Sequence, residues 1–505
     1  VTITPFRSCD VAVIGCGPVG ALAANLLGRQ GLSVVVLDKA PDHYPLPRAV
    51  HLDHEMMRLF QSAGVIDRVL PDMVATDGHL HVGADHGVIR YMGTVGRPRP
   101  FGWSNDYFFY QPELEAHLRA AFAASGNIAL VTGADCHHLE SDADGVTVHY
   151  RHADGDAGVR ARWVIAADGA RSDVRKQLGI ALDDLGFEEP WLVVDAEVDG
   201  PVNFPPLTGV PAGADLQRLS VMMCDPRRPA TIVPGRRHHR RWEFMLLPGE
   251  DDAVMMQPAQ VSALLDPWLQ AVPHRIVRAA TYRFHGLIAR QWQHGRVFLA
   301  GDAAHQTPPF FGQGMCHGMR DVANLAWKLA SVVHGGADEA ILSTYQVERE
   351  PHVRGVIGAA IAAGRYICEL DPARAAARDA AIRSEATARA GETAADLIPA
   401  IGDGIVMAGS AGSGERFIQP VLNDGRLLDD LAGQGWRLFV RSQTPQPAML
   451  AAALPDDGAV SAWLAARDAE AVLVRPDHYV FGTGRPADLL AARDAMLGLQ
   501  RELAA

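Results

Sequence analysis

The stretch that most limits what this chain can fold into is "DVAVIGCGPVGALAANLLGRQGLSVVVLD", Asp10 to Asp38. Two apolar runs of the buried-strand type, "DVAVIG" and "SVVVLD", flank a segment that places Val19, Leu22, Ala23, Leu26 and Leu27 on one helical face. Gly31 suits the end of that helix. Strand, turn, helix and strand make a βαβ unit, so the chain must contain a parallel sheet with a helix packed on it. Gly15, Gly17 and Gly20 fall in the turn as G-x-G-x-x-G. The first permits the tight turn, the second lets a pyrophosphate approach the backbone, and the third lets helix and strand pack closely. Phosphates then sit at the helix N-terminus, where free N–H groups and the dipole favour negative charge. Asp38, eighteen residues after Gly20, closes the second strand with a carboxylate able to accept hydrogen bonds from ribose hydroxyls. A dinucleotide is the expected ligand, NAD or FAD.

The remaining texture divides the chain. At 505 residues, two or three domains are expected. "PELEAHLRAAFAASG" is helical, with Pro112 early and Gly126 after the end, and "GVTVHYR" and "ARWVIAADG" read as strands. From about 190 to 277, short alternating runs between Pro, Gly and Arg clusters predict a mostly antiparallel sheet with one covered face. In "RRWEFMLL", Trp242, Phe244 and Leu246 share one face and Glu243, Met245 and Leu247 the other, with nothing to say which meets a ligand. "GRRHHRR", Gly235 to Arg241, reads as a polar hairpin tip, because adjacent histidines on a strand point to opposite sides. Residues 371–396 are rich in Ala and Arg and read as a surface or linker helix. "RLFVR" and "AVLVRPDHYVFG" read as strands near the C-terminus.

Charge and cysteines exclude several function classes. A net charge of −13 argues against nucleic acid, which needs a basic surface. No apolar run approaches the ~20 residues of a membrane helix. No signal segment is expected ahead of a glycine loop that begins so near the N-terminus. Cys9, Cys16, Cys136, Cys224, Cys316 and Cys368 are scattered, without C-x-x-C or zinc-ligand spacing, so reduced thiols, a cytoplasmic location and no metal are expected.

A second glycine signature distinguishes the two dinucleotides. "FLAGDAAHQTPPFFGQGMCHGMRDVANLAWKLA", Phe298 to Ala330, runs from a strand through Gly301-Asp302, two prolines and further glycines into a helix beginning near Met315. A plain NAD enzyme completes its site within one continuous doubly wound sheet. Here an antiparallel region intervenes, as expected if the far end of a longer dinucleotide is held by residues remote in sequence.

Three motifs in order, "VIGCGPVG…LDK", "ARWVIAADGARSDVR" and "VFLAGDAAHQTPP", resemble those of the class A flavoprotein aromatic hydroxylases, the fold of p-hydroxybenzoate hydroxylase. The resemblance covers about residues 10–365. "YPLPRAVHLDHE", "RRWEFMLLPGE" and "GQGMCHGMRDVANLAWKL" look most like the 3-(3-hydroxyphenyl)propionate hydroxylases and their phenol-hydroxylase relatives. It implies an α/β chain: a Rossmann-type FAD-binding domain over 1–189 and 278–395, an inserted β substrate domain over 190–277, and a thioredoxin-like domain without C-x-x-C over 396–505. Residues of about 76–108 belong to the first or the second of these. Support of the fold or a homodimer contact is the role implied for the last.

The resemblance also implies roles. Gly15, Gly17, Pro18, Gly20, Asp38, Lys39, Arg48, Gln111, Asp168, Gly169, Gly301, Asp302, Pro309, Gly312, Gln313, Gly314 and Met315 would bind FAD, with Asp168-Gly169 serving the transient NADH or NADPH as well. Asp302 would accept a hydrogen bond from a ribityl hydroxyl. The helix start after Gly314 would favour the anionic reduced flavin. Pro308 and Pro309, lacking N–H groups, would lie on the flavin face where oxygen reacts. His51 stands where close relatives often carry glycine; it is either an exposed histidine or a pocket residue that alters substrate preference. Cys316 replaces an asparagine common in the class. The implied reaction is hydroxylation of a phenol through a flavin C4a-hydroperoxide, with O2 and NAD(P)H consumed, on a hydroxyphenylpropionate-like acid of aromatic catabolism. A tailoring hydroxylase of aromatic polyketides is the alternative, and a non-catalytic flavin-binding protein the alternative of another class.

Overall fold

The computed structural model describes residues 8–385, 398–441 and 458–499. The Ala- and Arg-rich run beyond Glu385 and the Ala-rich segment 442–457 lie outside them.

The N-terminal βαβ unit forms as its pattern requires. Ser8–Ile14 and Val34–Asp38 pair in parallel, Val13 opposite Val36, and Gly155–Ala166 pairs with Ser8–Ile14 on its other side, Val13 opposite Ile165. The sheet continues to Ile128–Thr132 on one flank and to Val297–Leu299 and Gln293–His294 on the other. Asp135–Ser141 and Val146–His152 add an antiparallel extension. Unbroken Val, Ile and Leu runs suit strands covered on both faces. The helix Pro18–Arg29 is not one-sided as its periodicity suggested: every residue from Gly20 to Gly28 is buried. It lies between this sheet and the long helix Gly314–Val333, so its second face is covered as well.

The second sheet has the order His305–Gln306, His274–Ala289, Leu182–Val198, His239–Met245, Ala230–Pro234, Leu219–Met223, Gly78–Val82, Val88–Gly93. All its pairings are antiparallel except that of Leu219–Met223 with Gly78–Val82. Its strands run beyond the expected limits of 190 and 277, and it takes in 78–93. Both faces are covered, not one. Leu192, Val194, Trp242 and Phe244 pack with Trp268 of the helix Pro258–Leu269 in a separate core. Trp191, Met222 and Met245 join the core of the first domain. Two cores sharing a sheet as their common wall require that wall to be apolar on both sides.

The segment 235–241 is not a wholly solvated tip. His238 is exposed, but Arg236 and His239 turn inward. Arg236 pairs with Asp72 and Glu113, and His239 Nε2 lies 2.9 Å from Asp195 Oδ1. Carboxylates remote in sequence make this burial tolerable. The helix Pro372–Glu385 sits on the far edge of the sheet, where Asp379 accepts from Ala84 N at 2.7 Å and Arg383 pairs with Asp85.

Arg437–Val440, Ala471–Val474 and Val480–Gly484 form a three-stranded antiparallel sheet with helices Leu428–Ala432, Ala459–Ala465 and Pro486–Met496. "AVLVRPDHYVFG" is two strands, because Arg475 to Tyr479, with Pro476 and left-handed His478 (φ 71°), turns the chain back. This region is fastened to the rest by buried charge: Arg475 Nη2 to Glu348 Oε2 at 2.6 Å, Lys328 Nζ to the same oxygen at 3.0 Å, and Arg58 to Asp429. No helix among the described residues is long and apolar enough to cross a membrane.

Candidate active site

The two glycine turns, nearly three hundred residues apart in sequence, open onto one cavity of about 380 Å³. Gly17, Pro18 and Val19 line it from the first turn; Asp302, Pro309, Gly312, Gly314 and Met315 line it from the second. They meet because Val297–Leu299 is a strand of the same parallel sheet as Ser8–Ile14, with Gly155–Ala166 between them. All three strands therefore release their chains at the same sheet edge, where ligands of open α/β sheets bind.

The first turn is shaped by its glycines. Gly15 has φ 93°, and a Cβ there would collide with the Ala167 carbonyl oxygen; a Cβ on Gly20 would meet the Gly15 oxygen. Gly17 faces open space, with nothing within 4 Å of an added Cβ. It is the N-cap of Pro18–Arg29 and offers no side chain to the first N–H groups. The helix Gly314–Val333 likewise begins without a side-chain cap. Two helix N-termini thus leave unpaired donors at the cavity, an arrangement suited to anionic groups. Gln111 braces the wall between them: its Oε1 accepts from Arg48 N at 3.0 Å and Ala49 N at 2.7 Å, and its Nε2 donates to Glu115. Arg48 is exposed, its guanidinium 4.4 Å from the Tyr44 ring centroid, at the cavity rim.

Several expected residues act behind the lining. Asp38 does not face the cavity. Its Oδ2 accepts from Cys16 N and Arg119 Nη2 (3.2 and 2.8 Å) and its Oδ1 from Ala40 N, so most of its hydrogen-bonding capacity is used within the protein. Lys39 is exposed and outside the cavity. Asp168 accepts from Asp173 N and Val174 N, ordering the turn that presents Gly169 (φ 84°) to the cavity. Pro308 is buried behind Pro309. Gly301, with φ 60°, donates its N–H to Asp321 Oδ2 at 3.1 Å. Asp321 also holds His305 Nε2 at 2.6 Å and Arg349 Nε at 3.0 Å, a fully buried cluster that fixes the Gly301-Asp302 turn. Gln313 is buried, and its Oε1 accepts from Arg320 Nη1 at 3.0 Å.

Asp302 is exposed, lines the cavity, and its carboxylate has no hydrogen-bond partner within the protein; desolvation by the surrounding protein raises its pKa. His51 is not exposed. It is 5% accessible, lines the cavity, and packs against Gly312, where an added Cβ would come within 2.5 Å of its Nδ1. Gly312 needs its left-handed φ of 62° and its missing side chain for this contact. Cys316 is buried one turn into the helix, its Sγ 3.8 Å from the Gly312 carbonyl oxygen.

The second sheet supplies the floor, the place the resemblance implied for the inserted substrate domain. Val193, Ser220, Met222, Thr231, Glu243 and Phe284 face the cavity from five strands. In "RRWEFMLL" it is therefore the Glu243 and Met245 face that turns to the site, while Trp242 and Phe244 turn away into the other core. Glu243 is enclosed, its nearest cation Arg241 Nη1 at 3.9 Å, and burial raises its pKa. Arg241 and Arg278 reach the cavity while sharing Asp195, which carries no exposure. The alternation in sequence contained these two faces; the choice between them required the second core.

The fit to FAD rests on these features: open space at Gly17, two uncapped helix starts, and an unbonded carboxylate at Asp302, in one connected cavity. Residues 8–360 match the family model described as "FAD binding domain". The chain is 36% identical over 534 residues to a probable NADH-specific resorcinol 4-hydroxylase of Rhodococcus jostii, covering 99% of this chain and 95% of that protein. It is 35% identical over 560 residues to a 3-(3-hydroxy-phenyl)propionate/3-hydroxycinnamic acid hydroxylase of Burkholderia cenocepacia, covering 98% of both. Among solved structures it superposes on the flavin-dependent monooxygenase PieE with TM-score 0.80 at 23% identity, covering 98% of this chain and 100% of that one. It superposes on aklavinone-11 hydroxylase with TM-score 0.77 at 25% identity, covering 97% and 99%.

Proposed function

Since the chain belongs to the FAD binding domain family, we propose that this flavin-dependent aromatic monooxygenase hydroxylates a single-ring phenol, a hydroxyphenylpropionate-like acid, at the expense of a reduced nicotinamide and O2. The observation that carries the proposal is the meeting of both glycine turns and the β-sheet floor around one cavity. About 380 Å³ must take the ring end of the cofactor together with the substrate, which favours one aromatic ring over a polycyclic polyketide. Arg241 and Arg278 at the cavity, against the single enclosed carboxylate of Glu243 on that floor, favour a substrate that carries an acid group.

FAD supplies the redox chemistry, passing the two electrons of the nicotinamide to O2. The protein binds, orients and excludes water. The uncapped start of Pro18–Arg29 would hold the pyrophosphate, and Asp302 would accept a hydrogen bond from the cofactor's hydroxylated chain. The start of Gly314–Val333 favours negative charge on the ring system near it. Pro309 puts no N–H donor into its stretch of the wall. Val193, Met222 and Phe284 keep water from the face opposite the second turn. A cytoplasmic location accords with six unpaired cysteines.

The test is direct. Protein purified with its FAD is incubated with NADH, or NADPH, and a panel of hydroxyphenyl acids and resorcinol. Hydroxylated product equal to reductant consumed, without free hydrogen peroxide, is the expected result. Reductant oxidation that no phenol stimulates would count against the proposal.

A further inference from the structure

Two histidines of the cavity wall, His51 and His79, belong to neither glycine turn. His51 Nε2 lies 3.1 Å from Asp106 Oδ1, and Asp106 is 1% exposed. The His79 ring meets His51 edge to face at 5.0 Å between centroids. Both rings line the cavity. Neither ring nitrogen of His79 has a hydrogen-bond partner, although both are buried, and Asp106 Oδ2 is likewise unpaired. Buried polar atoms are nearly always bonded, and leaving one unmade is costly. The partner His79 lacks within the protein is one that a ligand in the cavity can bring. The charged and titratable groups packed around the pair are Asp106, Asp53 and His54, with His81 on the strand of His79 itself and Arg90 on the adjoining strand. Of these, Asp106 is in direct contact with His51.

We propose that His79, backed by the His51–Asp106 pair, receives the hydroxyl of the phenolic substrate and accepts its proton, so that the substrate reacts as a phenolate. The proposal rests on the phenol function above. The step is one proton transfer: the phenol O–H bond breaks, an N–H bond forms on His79, and phenolate and imidazolium remain in contact. No oxidant or reductant enters it. The surroundings act on the two histidines in opposite directions. Burial, then the positive charge of His51, pulls His79 down to about 4, so it is neutral and free to accept. Burial also pulls His51 down, but its bond to Asp106 and that carboxylate's charge outweigh it and leave the pKa raised. With no anion beside it His79 is a weak base. A phenolate at contact distance offsets the His51 charge, which couples proton uptake to substrate binding. An electron-rich phenolate is the form that attacks an electrophilic oxygen most readily.

The experiment needs no turnover. Oxidised FAD-loaded protein is titrated with 3-(3-hydroxyphenyl)propionate and with resorcinol from about pH 6 to about pH 10, and the phenolate absorbance gives the ionisation midpoint of the bound phenol, ordinarily near 10. The expected midpoint is lower by at least about one pH unit in the unmodified protein, a tenfold effect, and returns to the free value in His79→Asn and His79→Phe. Asp106→Asn is expected to give an intermediate shift. A shift unchanged in His79 variants that retain FAD overturns the assignment. So does a shift abolished by Glu243→Gln alone, or a stoichiometric divalent metal that His79→Asn removes. If the His79 variants do not fold, the unmodified protein decides by itself: a bound phenol that ionises like the free one refutes the proposal. A protein that hydroxylates a panel phenol without shifting its ionisation defeats this inference only. One that binds none of the phenols defeats the proposed function, and this inference with it.

Discussion

Arg320 is the residue whose replacement tests most directly how the site is held. It comes from the helix Gly314–Val333, is 2% exposed, and reaches three partners: Glu55 Oε2 at 2.8 Å through Nε, Asp53 Oδ2 through Nη2, and Gln313 Oε1 through Nη1. Asp53 and Glu55 open the helix His54–Ser62, and Glu55 also accepts from Tyr479 Oη of the C-terminal region at 2.9 Å. Arg320 thus locks the second turn, the strand that bears His51 and the C-terminal region into one arrangement. Burial pushes Glu55 up, but the charges of Arg320 and then Arg416 outweigh it and lower it from 4.5 to about 2, a change worth about 3 kcal/mol. Replacing Arg320 by Met leaves two carboxylates buried beside Arg416 alone, and breaking a buried ion pair costs about 3–5 kcal/mol. At roughly 2 °C per kcal/mol, thermal unfolding of the FAD-loaded protein is expected about 6–10 °C earlier. The pH dependence has a definite sign. In the unmodified protein the lowered Glu55 contributes stability that is present above its ordinary 4.5 and is lost as pH falls through about 2. In the variant, burial dominates and raises both acids, so its deficit is largest at neutral pH and narrows on acidification. The triple variant with Asp53→Asn and Glu55→Gln is expected to recover most of the loss. Scanning fluorimetry at several pH values and flavin release on dilution read both effects. A single variant that melts within about 2 °C of the parent would show that Arg320 is not the tie described, and so would a deficit that widens on acidification.

Asp302→Ala is expected to weaken FAD retention while the fold persists, read as flavin absorbance after gel filtration; full yellow occupancy would contradict its role. Gly312→Ala forces a side chain into a left-handed position 2.5 Å from His51, costing about 1–2 kcal/mol or more and displacing that ring; unfolding and the phenol ionisation assay would register it. Glu243→Gln removes a carboxylate whose pKa burial raises. Its stabilising effect is expected to be absent below about pH 4 and complete above the raised pKa, so denaturation should show a larger gain at pH 8 than at pH 5. Cys9, Cys16 and Cys224 are buried, with thiols pushed up to about 12 by desolvation first, and should resist alkylation near pH 8 until the protein unfolds, as mass spectrometry of labelled peptides would show.

Much of the fold was legible because its signals are local. The run from Asp10 to Asp38 carries both strands, the turn and the helix in contiguous residues, and the three glycines serve the contacts that turn demands. The stretch after Phe298 was legible for the same reason, down to a helix starting within one residue of the expected place. Long-range contacts were less so. Asp38 reads as a free strand-end acid until Arg119, eighty-one residues on, is seen against it. The segment 235–241 reads as solvated because the carboxylates that receive Arg236 and His239 lie in distant parts of the chain. The turn at Arg475 to Tyr479 carried a local signal, Pro476, within an otherwise strand-like run.

Sequence by itself determined that two backbone turns suited to phosphate and to an anionic ring system exist, because each depends on glycines and helix starts within a few residues. That the two turns would hold one dinucleotide between them was expected from the sequence; tertiary structure alone decided which face of the Glu243 strand floors their shared cavity and that His79 stands beside His51. Those outcomes depend on the register of strands drawn from residues 78 to 289, and register is set by pairing across the whole sheet rather than by any one segment.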